Sequence, residues 1–357
     1  MQTWMLYGAY GYTGRLLADE ALRRGHRPLL AGRSPEKLQA MAKSLGLDAV
    51  AFDLEDATTV LRQHKPAVVL HAAGPFVETS APMVAACLDS GAHYLDITGE
   101  IAVFERIYTQ DEPARQRGIA LIPGVGFDIV PSDCLIQSLL QQVEQPTQVE
   151  VAIDALGVAQ RNEMGASAGT LKTSLEMIAH GNVARRNGRL VPLRLGAGTR
   201  RFRFPQGERV GLPIPWGDLS ATYHAARIPN ITAYLMVSRR QAQFARAFGF
   251  LIEPLLRARI IRQGLGWFIE RSITGPSASR RETGRTYLYA KVSNEAGQSA
   301  EAWLETIEAY RFTAAAGVRA VEHVLHHPLR GALTPAQAFG TEFVFSVAST
   351  TRQETLN

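Results

Sequence analysis

Through the first third of the chain, short apolar runs alternate with longer stretches in which apolar positions recur every three to four residues. Trp4-Met5-Leu6-Tyr7, Pro28-Leu29-Leu30-Ala31, Ala49-Val50-Ala51-Phe52, Ala67-Val68-Val69-Leu70, His93-Tyr94-Leu95 and Ile119-Ala120-Leu121-Ile122 read as strands. Their apolar residues are consecutive rather than alternating, as in strands covered on both faces. Between them, helical periodicity runs over residues 15–22, 35–45, 57–63, 81–89 and 102–117. Such alternation predicts an α/β fold built on a Rossmann-type parallel sheet with helices on both faces.

From about residue 145 the period changes. Val149-Glu150-Val151-Ala152-Ile153-Asp154 alternates like a half-buried strand, and a helix is predicted over 168–178 behind Ser167. Alternating stretches follow at 231–237, 286–292 and 300–307, with Asn294-Glu295-Ala296-Gly297 as the turn between the last two. These predict a mixed α+β, mostly antiparallel second domain. A helix over 312–325 then leads through Gly331-Ala332-Leu333-Thr334-Pro335 back to the first domain, and a frayed tail is expected from Arg352. The expected boundaries are 1–140 for the Rossmann domain, 141–310 for a substrate or dimerisation domain, and 311–350 for a C-terminal helical segment that packs back on the first.

The first candidate chemistry sits where the first strand meets the first helix. Gly8-Ala9-Tyr10-Gly11-Tyr12-Thr13-Gly14 is a glycine triad in a strand–turn–helix context. Backbone N–H groups and the positive end of the helix dipole make such a turn a pyrophosphate cradle, and glycines let the anion approach. The G-x-x-G-x-x-G spacing departs from the usual G-x-G-x-x-G, so its position after a strand carries the reading. A glycine turn that merely joins strand to helix is the plain alternative. At the end of the second strand, where an acid would hold a ribose 2′-hydroxyl, stand Arg33 and Ser34, with Lys37 one turn on. A cation and a hydroxyl suit a 2′-phosphate, so NADP is the expected cofactor. Asp53, past the third strand, is placed to accept a hydrogen bond from an adenine amino group or to cap a helix.

Composition narrows the function class. Apolar content of 46% with 20% charged residues describes an ordinary soluble globular chain. Cys87 and Cys134 offer no disulfide framework, no cysteine–histidine cluster with zinc spacing is read, and no metal is expected. The first strand begins almost at Met1, and the most apolar later stretch, Phe248-Gly249-Phe250-Leu251-Ile252, is broken by Glu253-Pro254. No membrane span and a cytoplasmic location are therefore expected. Charge is uneven: residues 1–140 carry 12 Lys and Arg against 16 Asp and Glu, residues 141–357 carry 26 against 17. The excess gathers in Arg185, Arg186, Arg189, Arg194, Arg200, Arg201, Arg203 and Arg209 and again from Arg239 to Arg285. It suggests an anionic or carrier-bound small substrate, or simply a solvated basic face. No nucleic-acid-binding signature accompanies it, and a homodimer is the expected assembly.

Ligands of parallel sheets sit beyond the carboxyl ends of the strands. Those ends carry His71-Ala72-Ala73-Gly74-Pro75-Phe76, Asp96-Ile97-Thr98-Gly99-Glu100 and Pro123-Gly124-Val125-Gly126-Phe127-Asp128. Ala73, Gly74 and Pro75 extend the cofactor set, which also takes in Tyr10, Tyr12 and Thr13. Asp128 and Glu100 are the candidate catalytic groups, able to relay a proton during hydride transfer; capping of a helix is the competing role. His71 reads as a core histidine and Tyr94 as a packed aromatic. Tyr287-Leu288-Tyr289-Ala290-Lys291 satisfies the Y-x-x-x-K pattern of short-chain dehydrogenases, but its period of two makes it a strand in the wrong domain.

Taken together, Gly8–Gly14 with Arg15, Ala31-Gly32-Arg33, Ala73-Gly74-Pro75-Phe76, the run from Ala86 to Glu100, Gly126-Phe127-Asp128 and Pro131-Ser132-Asp133 resemble the saccharopine dehydrogenase-like oxidoreductases, which include trans-acting enoyl reductases. The strong part of the resemblance covers roughly the first 135 residues. It implies NADP binding and two domains, with the C-terminal helix rejoining the first. It transfers neither saccharopine as substrate nor any catalytic residue. Two classes of function remain: an NADP-dependent oxidoreductase, with enoyl reduction among the reactions, and a non-catalytic NADP-binding redox sensor or scaffold.

Overall fold

The computed structural model describes residues 3–154, 171, 175, 181–272 and 275–356. The helix expected over 168–178 lies, apart from residues 171 and 175, outside the described residues. Two compact units are present: residues 1–130 with 310–347, and residues 131–309 with 348–357.

The first unit alternates strand and helix: β1 (Trp4–Tyr7), α1 (Tyr12–Arg23), β2 (Leu29–Gly32), α2 (Pro35–Leu45), β3 (Ala49–Ala51), α3 (Ala57–His64), β4 (Val68–His71), α4 (Phe76–Ser90), β5 (His93–Asp96), α5 (Ile101–Tyr108), α6 (Asp111–Arg117) and β6 (Ala120–Ile122). β1, β2, β4 and β6 are buried at every residue, which is why their sequences are apolar without alternation. Two helices depart from the expected spans. The helix expected over 81–89 begins at Phe76 and carries Pro82 inside it, and the one expected over 102–117 breaks into α5 and α6 around Thr109-Gln110. Pro82 lacks the N–H for an i−4 hydrogen bond, so on sequence it marked a helix start rather than an interior position.

The second unit contains α7 (Val130–Leu140) after its first residue, then β7 (Gln148–Asp154), β8 (Asn182–Arg186), β9 (Arg189–Leu193), β10 (Arg200–Phe204), β11 (Gly207–Ile214), α8 (Asp218–Ala226), β12 (Asn230–Val237), α9 (Arg239–Arg257), α10 (Arg259–Ser272), α11 (Ala278–Thr283), β13 (Arg285–Ser293) and β14 (Ser299–Ile307). The chain then returns to the first unit as α12 (Ala309–His326), β15 (Gly331–Ala332) and α13 (Pro335–Phe339), and closes with β16 (Thr351–Gln353).

The first sheet runs β15-β6-β5-β4-β1-β2-β3, every pair parallel. The strand order reverses between β1 and β4, and a ligand crevice belongs beyond the carboxyl ends of those two strands. The second sheet is mixed along β10-β11-β12-β7-β13-β14-β16, with β12 and β7 parallel and its other pairs antiparallel. β16 corrects the expected frayed tail: Thr351 to Gln353 pair with β14, so the segment is an edge strand. Its three residues carry no apolar signal, and the edge of β14, with a hydrogen bond from Arg352 to the Ser138 hydroxyl at 2.9 Å, holds them.

α12 is the C-terminal helix of the first unit. Phe312 is fully buried and meets Phe127 edge-on at 5.9 Å, while Glu322 holds Arg24 through two hydrogen bonds of 2.6 and 2.7 Å. Phe312→Ala is expected to cost about 3–5 kcal/mol, because little can collapse into the space left at a fully buried ring. Denaturant unfolding of wild type and variant measures it; a loss under about 1 kcal/mol would mean that α12 is not part of the core.

Candidate functional site

β1 delivers the chain into Gly8, whose φ of +85° lies in the left-handed region open mainly to glycine. Space forbids a side chain there as well. A Cβ on Gly8 would stand 2.7 Å from the Ala73 nitrogen, and one on Gly14 would stand 2.2 Å from the Gly8 carbonyl oxygen. Gly11 differs, since a Cβ would meet only that carbonyl, at 3.2 Å. The glycines therefore divide the work instead of all admitting an anion. Gly8 lets the turn close on the loop after β4, Gly14 lets α1 close on the turn, and Gly11 leaves the outer side of the turn open. The Gly8 and Ala9 N–H groups donate to the Ala31 carbonyl at 2.8 and 3.2 Å, and the Gly11 N–H donates to Gly8 at 3.0 Å. α1 starts at Tyr12, ahead of its expected position, with Gly11 as an N-cap that offers no side chain and with no acid in the first turn. Tyr12, Thr13 and Gly14 thus form the opening turn, whose N–H groups and dipole favour an anion.

Tyr10 joins this turn to the end of β2. A Cβ on Gly32 would stand 2.6 Å from the Tyr10 ring, so the ring lies across that glycine. The Ser34 N–H donates to the Tyr10 hydroxyl at 3.3 Å, and Lys37 Nζ sits 5.9 Å from the ring centroid, within cation–π range. Arg33, Lys37 and Asp53 are exposed. Burial pushes the nearby Tyr7 phenol up to about 12, with the Arg33 charge opposing and Tyr10 and Asp53 adding to the rise. One end of the sheet therefore gathers Tyr10, Arg33 and Asp53. Asp53 precedes the single turn Leu54–Asp56 without capping it through its side chain.

Beyond β4 and β5 the polar residues are tied to one another. The Tyr94 hydroxyl donates to Asp96 Oδ2 at 2.8 Å and lies 3.3 Å from His71 Nδ1, while Asp96 Oδ1 accepts from the Thr98 and Gly124 N–H groups at 3.0 and 2.9 Å. His71, Tyr94 and Asp96 are fully buried. Burial lowers the His71 imidazole to about 3, so it is neutral across physiological pH, and raises Asp96 to about 6 against the pull of its backbone donors. Ala73, Gly74 and Pro75 lead directly into α4. Glu100 accepts the Phe76 and Val77 N–H groups there, at 3.1 and 2.7 Å, one on each carboxylate oxygen. Its side chain thus caps α4, a helix distant in sequence, and makes no side-chain cap to α5, whose N-terminus it precedes. Burial still raises its carboxyl.

Asp128 lies on the loop after β6, with Oδ2 2.9 Å from where a Cβ on Gly99 would be. Part of its surface is accessible, yet its setting raises the carboxyl to about 7, chiefly by burial and then by the negative charge of Glu100. Two neighbours come from α12 and had no local signal: Thr313 Oγ1 accepts the Phe127 N–H at 3.0 Å, and Tyr310 meets Tyr12 edge-on at 5.0 Å. His323 on α12 and His327, the residue after its end, are four apart, a spacing absent from the metal reading; their rings stack at 4.0 Å, and among the described residues no group of three metal-ligating side chains forms. Tyr287 and Lys291 lie on β13, a strand of the second sheet. There too, part of the arginine excess is neutralised or buried. Arg185 donates to the Leu219 carbonyl at 2.7 Å, Arg209 pairs with Asp154 at 3.0 Å, and Arg200 pairs with Glu150.

Residues 4–122 match the family described as Saccharopine dehydrogenase NADP binding domain, which makes NADP the cofactor of this unit. The chain is 32% identical over 181 residues to the trans-acting enoyl reductase of Mycobacterium ulcerans and, over a stretch of the same length, to that of Mycobacterium tuberculosis. The match covers 48% of this chain and 43% of each relative, so the chain spans less than half the length of these curated relatives. Among solved structures, apo saccharopine dehydrogenase (L-Glu forming) from Saccharomyces cerevisiae superposes with a TM-score of 0.60 over 99% of both chains at 13% identity, which establishes a common fold. Among the described residues, no helix is long and apolar enough to cross a membrane.

Gly14→Ala is expected to unfold at a markedly lower temperature than Gly11→Ala, because its Cβ would stand 2.2 Å from the Gly8 carbonyl oxygen against 3.2 Å for that of Gly11. Thermal melts of both decide it, and equal midpoints would refute the division of roles. A second expectation concerns pH. The native Asp128 holds a proton that the unfolded chain, with its carboxyl near 3.8, has released. Its stabilising contribution is therefore complete below that value and is lost as pH rises through about 7. Unfolding midpoints of Asp128→Asn should fall less steeply across this window than those of wild type; parallel curves would contradict the raised carboxyl.

Proposed function

We propose that this chain, whose residues 4–122 match the saccharopine dehydrogenase NADP-binding domain family, is an NADP-dependent oxidoreductase whose substrate is an enoyl group carried on a partner molecule. The observation that supports the cofactor preference best is the end of β2. Arg33 and Ser34 stand beside Tyr10 where a carboxylate would otherwise bind a ribose hydroxyl, so a 2′-phosphate meets a cation and no repelling acid. The names of the two mycobacterial relatives support the enoyl substrate.

Bound NADPH supplies a hydride. Gly11 and the opening turn of α1 would receive its pyrophosphate, and Tyr10 with Arg33 would hold its adenosine end. Reduction of an enoyl group places the hydride on one alkene carbon and a proton on the other. Asp128 is the proton donor in this reading, since its carboxyl keeps a proton up to about pH 7, and it is recharged from water. Glu100 is committed to the start of α4. That commitment favours one second reading, a protein that binds NADP without turning it over, because it leaves Asp128 alone among the expected catalytic carboxylates.

NADPH is expected to bind at least about tenfold tighter than NADH, and Arg33→Ala to erase most of that difference. Calorimetric titration of both cofactors checks it, and equal affinities in wild type would overturn the assignment of Arg33. Wild type should oxidise NADPH in the presence of enoyl thioesters, and Asp128→Asn should slow this on the order of a hundredfold with unchanged NADPH affinity. Intact binding without oxidation by any enoyl thioester would favour the non-catalytic reading.

A further inference from the structure

Among the described residues of α9, small residues are buried and large apolar residues are exposed, and α10 adds further exposed apolar side chains. Ala242, Ala245 and Gly249 of α9 are buried, and the helix lies so close to its neighbouring loop that a Cβ on Gly249 would stand 2.6 Å from the Leu195 carbonyl oxygen. A Cβ on Gly196 would likewise meet the Arg246 backbone nitrogen at 2.6 Å. The outward side carries Phe244, Phe248, Leu251 and Leu255, spaced as one helical stripe and 47 to 60% exposed. Phe250 at 65%, and Leu265, Trp267 and Phe268 of α10, add to it. Eight large apolar side chains exposed on two neighbouring helices are far from the scattered single exposures of an ordinary surface.

The surroundings are cationic. Residues 239–272 contain seven arginines and two glutamates. The Arg271 guanidinium lies 4.1 Å from the centre of the Trp267 ring. At the N-terminal end of α9 a cavity of about 220 Å³ is lined by Arg200, Arg201, Arg239 and Arg246, with Glu150 pairing Arg200 and Glu208 within 3.9 Å of Arg201 and Arg239. Four guanidinium groups against two carboxylates leave this end positive, and the helix dipole adds to it.

We propose that the α9–α10 pair is a membrane-docking surface that seats the protein on bilayers containing anionic lipid. Aromatic and leucine side chains beside arginines are what an interfacial helix needs: the rings enter the headgroup boundary while the cations meet lipid phosphates. α9 has 19 residues and is not apolar enough to span, so it lies along the surface. A second copy of the chain fits the same face poorly, because pairing would bring two segments of net charge +5 together.

The test is co-sedimentation of the whole chain with vesicles of equal parts phosphatidylglycerol and phosphatidylcholine, and with vesicles of phosphatidylcholine alone. The protein should pellet with the first and remain in solution with the second, and about 1 M salt should release it by shortening the Debye length to about 3 Å. Phe248→Ser with Trp267→Ser, and separately Arg239→Gln with Arg240→Gln, should each weaken partition on the order of tenfold. The arginine pair removes no apolar contact, so it keeps the test decisive if the first variant loses its circular dichroism. Tryptophan emission should shift to the blue on vesicles in wild type and not in Trp267→Phe. No binding to anionic vesicles, or equal binding to both kinds, would overturn the proposal. So would a dimer in sedimentation velocity that Phe248→Ser dissociates while vesicles remain unbound; that result would assign the face to a second copy.

Discussion

The first unit depends on one steric constraint, the approach of backbone to backbone around the turn after β1. Gly8 lies against the Ala72-Ala73 backbone, and Gly14 lies against the Gly8 carbonyl. With no side chain at either position, β1, α1 and the loop after β4 converge within van der Waals distance at the point where the strand order reverses. Any Cβ there would push α1 off the sheet and widen the crevice that the parallel strands create. Gly11 contributes by being loosely surrounded at the same turn. The cofactor end of the domain is thus a consequence of packing first and of polar chemistry second.

The polar residues beyond β4, β5 and β6 extend that logic. Asp96 holds the backbone of Thr98 and Gly124, Tyr94 holds Asp96, and Glu100 holds the start of α4. Each buried carboxylate has N–H or O–H donors, as the desolvation of a charge requires. Burial raises all three carboxyls at this end of the sheet; Asp96 and Glu100 hold backbone N–H groups, and Asp128 keeps part of its surface accessible.

In the second unit, charge and apolarity are sorted in an unusual way. Arg185 and Arg209 are buried and spend their donors on a carbonyl and a carboxylate, so the arginine count overstates the field at the surface. In α9 the buried positions among the described residues are alanine and glycine, and at Gly249 the Leu195-Gly196 loop lies too close for a side chain. The large apolar side chains consequently face outward, the reverse of a core-facing amphipathic helix.

Much of the first unit was legible in the chain. Strands buried on both faces must be continuously apolar, and glycines between a strand and a helix mark a tight turn, so the parallel sheet and the turn after β1 were readable. The strands β7, β12, β13 and β14 were readable from alternation instead, although β7 is buried along all but its first residue, and the return of the C-terminal helix to the first unit was readable as well. What local pattern did not carry was decided by tertiary contact. Pro82 concealed the first turn of α4, whose N–H groups are satisfied by Glu100 from 23 and 24 residues away. β16 exists because β14 offers an edge, Thr313 reaches Phe127 across 186 residues, and the outward face of α9 follows from a loop some fifty residues before it. Periodicity reports which face of an element is apolar. Only the packed chain decides what that face meets and which acids hold backbone.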